Sequence, residues 1–307
     1  MNPVVGVDLG GTKSAVALVG PDGSLGPRLE EPTPAGSGPD AVLDVVSKLV
    51  LAAAGDESLA GVGVGTAGIV DGSGRVVSAT DTFADWVGTD LVAGLRHRLP
   101  DAGPIAVIND VDAHLLGEAW LGAARGWTSA VMVAVGTGVG GAVLVNGRLW
   151  RGHRFAAGEI GHIPVPGAEG RRCPCGRAGH LEALAAGPAM ERAYHQATGA
   201  AIDGRQLFAR ASSGDPTAAA VVRAGAEGLG RAIAGLITAF DPEGVVIGGG
   251  VARSGAIWWE PLVATCRSEL VSAFHGIRIE AAELGPDAAI LGAAKTAIER
   301  TPIHEHR

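Results

Sequence analysis

Apolar residues in this chain come in short β-branched bursts closed by glycine, alternating with longer stretches of helical spacing. The first twenty residues read strand, turn, strand: "VVGVDLG" is apolar, "GTK" turns, "SAVALVG" returns, and "PDGS" turns again. Residues 39–54, "PDAVLDVVSKLVLAAA", carry apolar positions at helical spacing. "LAGVGVGTAGIVDG" is a strand feeding a glycine-rich turn, and "DLVAGLRHRLP" a short helix. "PIAVIND" reads as a buried strand ending in Asn109 and Asp110, and "DAHLLGEAWLGAAR" as a helix.

The opening pattern then recurs. "SAVMVAVGTGVGGAVLVNGRL" (129–149) is again strand, Gly/Thr turn, strand and a closing Asn-Gly turn. The repetition predicts two α/β halves, each opening on a hairpin with a bare backbone tip. Helical stretches follow: "LEALAAGPAMERAYHQATG" and "DPTAAAVVRAGAEGLGRAIAGLITAF". "DPEGVVIGGGVARSG" is a strand running into three glycines, and "LGPDAAILGAAKTAIER" a terminal helix. The expected division is 1–110 plus 290–307 as a small N-terminal α/β domain, and 111–289 as a larger C-terminal one.

Composition narrows the function classes. With 307 residues the chain can bury two cores. Its formal net charge of −8 argues against bulk attraction to nucleic acid or anionic membrane. Three cysteines form no disulfide framework, no apolar run is long enough to span a bilayer, and "MNPVVGVDLGG" lacks the features of a signal peptide. A soluble cytoplasmic protein is expected.

Four segments carry candidate chemistry. In "DLGGTK", Gly10 and Gly11 let backbone N–H groups approach an anion, Thr12 adds a hydroxyl and Lys13 a charge, and Asp8 could hold a phosphate-bound magnesium. "VGTGVGG" is a second such tip, with Gly136, Thr137, Gly138 and Gly140. The Gly248–Gly250 cluster either receives an adenine or ribose or serves strand–helix packing. In "VIND", Asp110 stands just past a buried strand, where it could take the proton of an attacking hydroxyl, and Asn109 could bind further hydroxyls. Asp112 is the better-placed helix cap, which leaves Asp110 for chemistry. The last segment is "GEIGHIPVPGAEGRRCPCGRAGHLE". Cys173, Cys175, His180 and His162 give two thiolates and two imidazoles, a set suited to tetrahedral zinc, with His153 as a rival ligand. A Cys173–Cys175 disulfide is disfavoured. Glu159 and Glu182 flank this cluster, where a metal-clamped loop could aim them at a polyol. Cys266 is expected to pack as a small apolar residue in a helix.

Taken together, "DLGGTK", "VIND", "AVGTGVGG", "AAGEIGHIPV", "CPCGRAGHLEALAAGPA" and "LGPDAAILGAA" resemble, in order and over nearly the whole length, the ROK (repressor, open reading frame, kinase) family of sugar kinases. The resemblance implies a two-domain actin/hexokinase-like (ribonuclease H-like) α/β fold around a cleft. It implies transfer of the γ-phosphate of ATP, with Mg²⁺, to a hexose or amino-hexose, and a structural Zn²⁺. Glucose at its 6-hydroxyl is the expected acceptor. N-acetylmannosamine, N-acetylglucosamine, fructose and mannose are alternatives, and a non-catalytic sugar-binding regulator is a reading of a different class. Matched by position, Asp110 is the base, Asn109, Glu159, His162 and Glu182 are sugar contacts, and His162 is also a zinc ligand. Asp8 and Gly10–Lys13 match one phosphate loop, and Gly136, Thr137, Gly138 and Gly140 the other. A homodimer or homotetramer is implied. The kinase-like region begins at residue 4, so no winged-helix DNA-binding domain is expected. Two departures stand out. His180 replaces a usual cysteine, and Thr82, four residues before Trp86, replaces a sugar-contacting asparagine, a loss for which Asp81 could compensate.

Overall fold

The computed structural model describes residues 2–80 and 82–300; Asp81 lies outside the described residues. The chain divides into two compact units: Met1–Gly126 with Arg151–Ala157 and Glu283–Arg307, and Trp127–Trp150 with Gly158–Ala282.

The first unit is built on a five-stranded sheet. Strands β1 (Val4–Leu9), β2 (Lys13–Val19) and β3 (Leu29–Pro32) form an antiparallel meander. Helix α1 (Pro39–Ala54) then leads to β4 (Gly61–Thr66), which lies parallel to β1. A small ribbon, β5 (Ile69–Val70) and β6 (Val76–Ser78), precedes α2 (Leu91–Arg98). Strand β7 (Ile105–Asn109) pairs parallel with β4 and runs straight into α3 (Asp110–Leu121), giving the order β3-β2-β1-β4-β7.

The second unit repeats the plan. Strands β8 (Ala130–Val135), β9 (Val139–Val145) and β10 (Arg148–Leu149) form the meander. The β9–β10 turn is Asn146-Gly147, both at positive φ as a tight hairpin requires. Helices α4 (Glu182–Ala185), α5 (Gly187–Thr198), α6 (Gly204–Ser212) and α7 (Pro216–Phe240) lead to β11 (Gly244–Gly248). Helix α8 (Ala256–Glu269) leads to β12 (Arg278–Ala281), giving the order β10-β9-β8-β11-β12. The sequence expectation reaches only the part of α8 around Cys266, because Pro261 lies inside the helix and interrupts its apolar pattern. Cys266 is fully buried in α8, as expected of a small apolar side chain. Helix α9 (Ala288–Arg300) returns to the first unit. Among the described residues no helix is long and apolar enough to cross a membrane.

The domain division differs from the expectation at three places: residues 111–126, Arg151–Ala157 and the segment from Glu283 to residue 289, expected in the second domain, all belong to the first unit. The reason is packing: α3 and α9 lie on each other with backbone almost in contact. A side chain at Gly292 would strike the Ala113 carbonyl, and one at Gly117 the Ala288 carbonyl. Helix α9 meets the sheet the same way, at Gly6 against Ile290 and at Gly63 against Ala293. The other face of the sheet is conventional. Val5, Val7, Leu9 and Val16 alternate out of β1 and β2 and pack with Val42, Leu43 and Val46 of α1.

A buried carboxylate closes the α3–α9 pair. Glu118 is wholly buried, and its oxygens accept the N–H groups of Ala123, Glu283 and Leu284. Charge-assisted bonds of this kind offset the loss of hydration.

Gly63→Ala should therefore cost about 1–3 kcal/mol by overpacking, whereas Gly36→Ala, with no atom near its added methyl, should fall within about 0.5 kcal/mol of wild type. Urea unfolding of the two variants checks this.

Candidate active site

Alternation along β1 sends Val4, Gly6 and Asp8 to the face that carries α9. Asp8 is paired across the sheet with Gly65, and Gly65 with Ile108. Because residue 65 has no side chain, α3 can begin directly beside β4. A Cβ there would lie 3.6 Å from the Asp110 Cα and 2.9 Å from the Ala113 Cβ. Two carboxylates are thus brought to the carboxyl ends of two strands of one sheet, β1 and β7, with β4 between them, the usual place for a ligand in such folds. Burial pushes the Asp8 carboxyl above its ordinary range. His114, one turn into α3, opposes the shift, Asp110 adds to it, and Arg28 and Lys13 oppose it.

The cap of α3 differs from the expectation. Asn109, not Asp112, is the N-cap: its side-chain oxygen accepts from Val111 N–H at 2.8 Å and Asp112 N–H at 3.3 Å. Its amide nitrogen donates to the Gly68 carbonyl at 3.1 Å. Asn109 is therefore committed first to the helix start, with one amide hydrogen left over. Asp110 is the first helical residue and accepts from Val111 N–H at 2.9 Å. Asp112 is buried and faces the Arg151 guanidinium at 3.5 Å. Arg151 also donates to the Val70 carbonyl and stacks over Phe155. His114 and Arg151 escape a reading by spacing, since nothing in a lone His or a distant Arg marks it as a neighbour of the strand ends.

The first hairpin tip is Gly10–Thr12. Gly10 N–H donates to the Lys13 carbonyl at 3.1 Å, and Gly11 stands where the Thr82 methyl fills the space of a side chain. Thr82 thus packs on the first hairpin, and its hydroxyl lies 3.3 Å from that of Thr80. Trp86 is buried and stacked on Phe83 behind it. Lys13 is exposed and pairs with Glu30 at 2.8 Å, a surface contact that an incoming anion can replace.

In the second unit, Gly136 N–H donates to the Gly138 carbonyl at 2.9 Å and Thr137 stands exposed at the tip. Gly140 lies in β9 opposite Ala134. The three glycines after β11 divide by role. A side chain at Gly248 would press on Met132 and Ala282. Gly249 has φ +89° and lies against the Val135 backbone, while Gly250 faces open space. Packing accounts for two of them and leaves Gly250 as the one open to a ligand.

The segment 158–182 brings four side chains together. Ligand atoms of His162, Cys173, Cys175 and His180 all lie within 4.8 Å of one another. The Leu181 N–H donates to the Ile163 carbonyl and Pro164 bridges His180, which brings the two histidines side by side. His162 Nδ1 lies 3.5 Å from Cys173 Sγ, and His180 Nδ1 3.2 Å from Cys175 Sγ. The other nitrogen of His162 faces the half-exposed Glu159 carboxylate at 3.7 Å, an arrangement that orients a metal-binding imidazole. His153 belongs to the other unit and is no part of this group. All three cysteines are free thiols. Glu182, first residue of α4, is buried. Its Oε2 accepts from Val139 N–H at 2.9 Å and its Oε1 is 4.0 Å from Cys173 Sγ.

Two α/β units of one plan, each with a glycine hairpin between its first two strands, define the actin/hexokinase-like class. The chain belongs to the ROK family, whose model matches residues 4–300. It is 34% identical to a glucokinase of Thermotoga maritima over 97% of this chain and 98% of that protein. It is 35% identical to an N-acetylmannosamine kinase of Escherichia coli over 94% of this chain and 96% of that one. It also resembles the crystal structure of a ROK family glucokinase from Streptomyces griseus in complex with glucose and AMPPNP. That likeness has a TM-score of 0.83 and 30% identity, covering 97% of this chain and 99% of that one.

Burial pushes the Cys173 and Cys266 thiols up to about 11, whereas Cys175 is exposed. In chelator at pH 8, iodoacetamide should modify one thiol quickly and two slowly, and Cys175→Ser should remove the fast phase; mass spectrometry counts the adducts.

Proposed function

We propose that this protein is an ATP-dependent hexose kinase that phosphorylates glucose at the 6-hydroxyl. The observation that carries the reading is Asp110, held at the start of α3 beside Gly65, on the sheet whose first turn is the bare hairpin Gly10–Thr12. Asp110 takes the proton of the attacking hydroxyl. The N–H groups of the hairpins Gly10–Lys13 and Gly136–Gly140 hold the phosphates, and Gly250 leaves room for the nucleoside. Lys13 exchanges Glu30 for phosphate and offsets charge on the group in transfer. Asn109, Glu159, His162, Glu182 and Thr82 are the acceptor contacts.

Two metals fit this reading. Asp8, a buried carboxylate at a strand end, would hold Mg²⁺ directly or through water, and the ion would neutralise charge on the phosphates. His162, Cys173, Cys175 and His180 match tetrahedral zinc in number, kind and spacing, with no position left open, as in a structural site. Burial keeps the metal-free Cys173 protonated, so zinc binding must release its proton. Apparent affinity should then rise by about tenfold per pH unit for each proton released.

Support for glucose comes from the glucokinase relatives, and support for N-acetylmannosamine from the E. coli enzyme. A coupled ADP-release assay over glucose, mannose, fructose, N-acetylmannosamine and N-acetylglucosamine should give the highest kcat/KM for glucose. ADP release on none of them would leave a sugar-binding regulator. Asp110→Asn should lower kcat by about three orders of magnitude with an unchanged circular dichroism spectrum; normal turnover would remove Asp110 from the role of base.

Asp8→Asn separates stability from function. A carboxyl raised by burial favours its neutral form in the fold, so stability is full at low pH and is lost as pH rises through its folded value. Above that range the variant should melt at a higher temperature than wild type, without Mg²⁺ or nucleotide, while turning over far more slowly. Zinc analysis should find about one ion per chain, lost in Cys175→Ala.

A further inference from the structure

Val139 is the residue at which the second hairpin tip rejoins β9, and it is gripped from both sides by the segment that carries the metal-type ligands. On its carbonyl side stands Gly161, next to His162; a side chain there would strike the Val139 carbonyl. On its amide side stands Glu182, two residues after His180, with Oε2 accepting the Val139 N–H at 2.9 Å in a buried setting. The same oxygen occupies the space a side chain at Gly138 would need, 2.7 Å from its Cβ position. A third tie comes from Gly187, whose N–H donates to the Gly136 carbonyl at 2.9 Å. The grips are themselves joined: Leu181 N–H bonds the Ile163 carbonyl, and Glu182 Oε1 is 4.0 Å from the Cys173 sulfur.

We propose that Glu182 is a positioning residue for the nucleotide hairpin Gly136–Val139, and that closure of His162, Cys173, Cys175 and His180 on a metal fixes the hairpin through it. The inference rests on reading this hairpin as nucleotide-binding. The physical reason is that glycine-rich backbone has no side chains to lock it. Its N–H groups present a phosphate site only if another element holds their direction, and a buried charge-assisted bond at the hairpin's exit does so. A ligand cluster that ties both ends of the segment 161–182 removes the freedom of Glu182 to leave. Metal occupancy is then felt in nucleotide affinity, apart from any effect on the acceptor.

The experiment measures AMPPNP·Mg²⁺ binding by calorimetry, without sugar, on zinc-loaded wild type, Glu182→Ala, Glu182→Gln and Cys175→Ser. Amide exchange at Val139 is followed in parallel. Glu182→Ala and Cys175→Ser should each bind about tenfold more weakly, with faster exchange at Val139, while Glu182→Gln, which keeps an oxygen for that N–H, should stay within about twofold of wild type. Unchanged affinity and exchange in Glu182→Ala and Cys175→Ser overturn the proposal. So does a glutamine variant as weak as the alanine, or a Cys175→Ser protein that behaves as wild type beside a weakened Glu182→Ala. Should Glu182→Ala not fold, Cys175→Ser decides, since Cys175 is exposed and its loss leaves the core intact. Wild type that fails to bind AMPPNP would refute the kinase reading instead, and exchange at Val139 would still test the brace.

Discussion

In the first unit, backbone rests on backbone. Helix α9 lies on β1 and β4 at Gly6 and Gly63, and α3 lies on α9 at Gly117 and Gly292, with no side chain interposed at any of the four. Each contact forbids even a methyl group, so the register of four elements is set by sterics rather than by a sum of apolar area. The position of α3 follows from this, and with it the position of Asp110. Gly65 completes the set by letting the first turn of α3 stand against β4. The absence of side chains thus places the carboxylate.

That placement has an electrostatic consequence. Asp8 is buried, and burial together with the charge of Asp110 pushes its carboxyl up, with His114, Arg28 and Lys13 as compensation. A fold selected only for stability would not keep two carboxylates at the ends of β1 and β7, on either side of β4. The arrangement suits a group that must take a proton and another that must attract a cation. Asn109 shows the same economy, since its oxygen starts the helix and its nitrogen pins the Gly68 turn, with one hydrogen left for a ligand.

The two departures from the family pattern turn out differently. His180 is compatible with its place, because its imidazole nitrogen lies 3.2 Å from Cys175 Sγ and imidazole, like thiolate, is a zinc-ligating group. Thr82 does more than lose an amide, since its methyl packs into the space left by Gly11 and joins the loop before Trp86 to the first hairpin. That contact has no counterpart in the sequence pattern, because seventy-odd positions separate the partners.

The sequence by itself determined the repeated strand–turn–strand plan, the hairpin tips, the strand leading to Asp110 and the ligand types of the metal-like cluster. These are local: period-two apolar runs, Gly-Thr turns and a dense group of Cys and His record their structure within a few residues. Only the tertiary structure decided the unit to which α3 belongs, the cap of that helix, the partner of Asp112 and the tie between Glu182 and Val139. All but the cap depend on groups brought together from distant positions, where the decisive quantity is a clearance of an ångström or a single buried N–H. Glycine looks the same in sequence whether it packs against a side chain of the next strand, as Gly248 does against Met132, or faces open space, as Gly250 does.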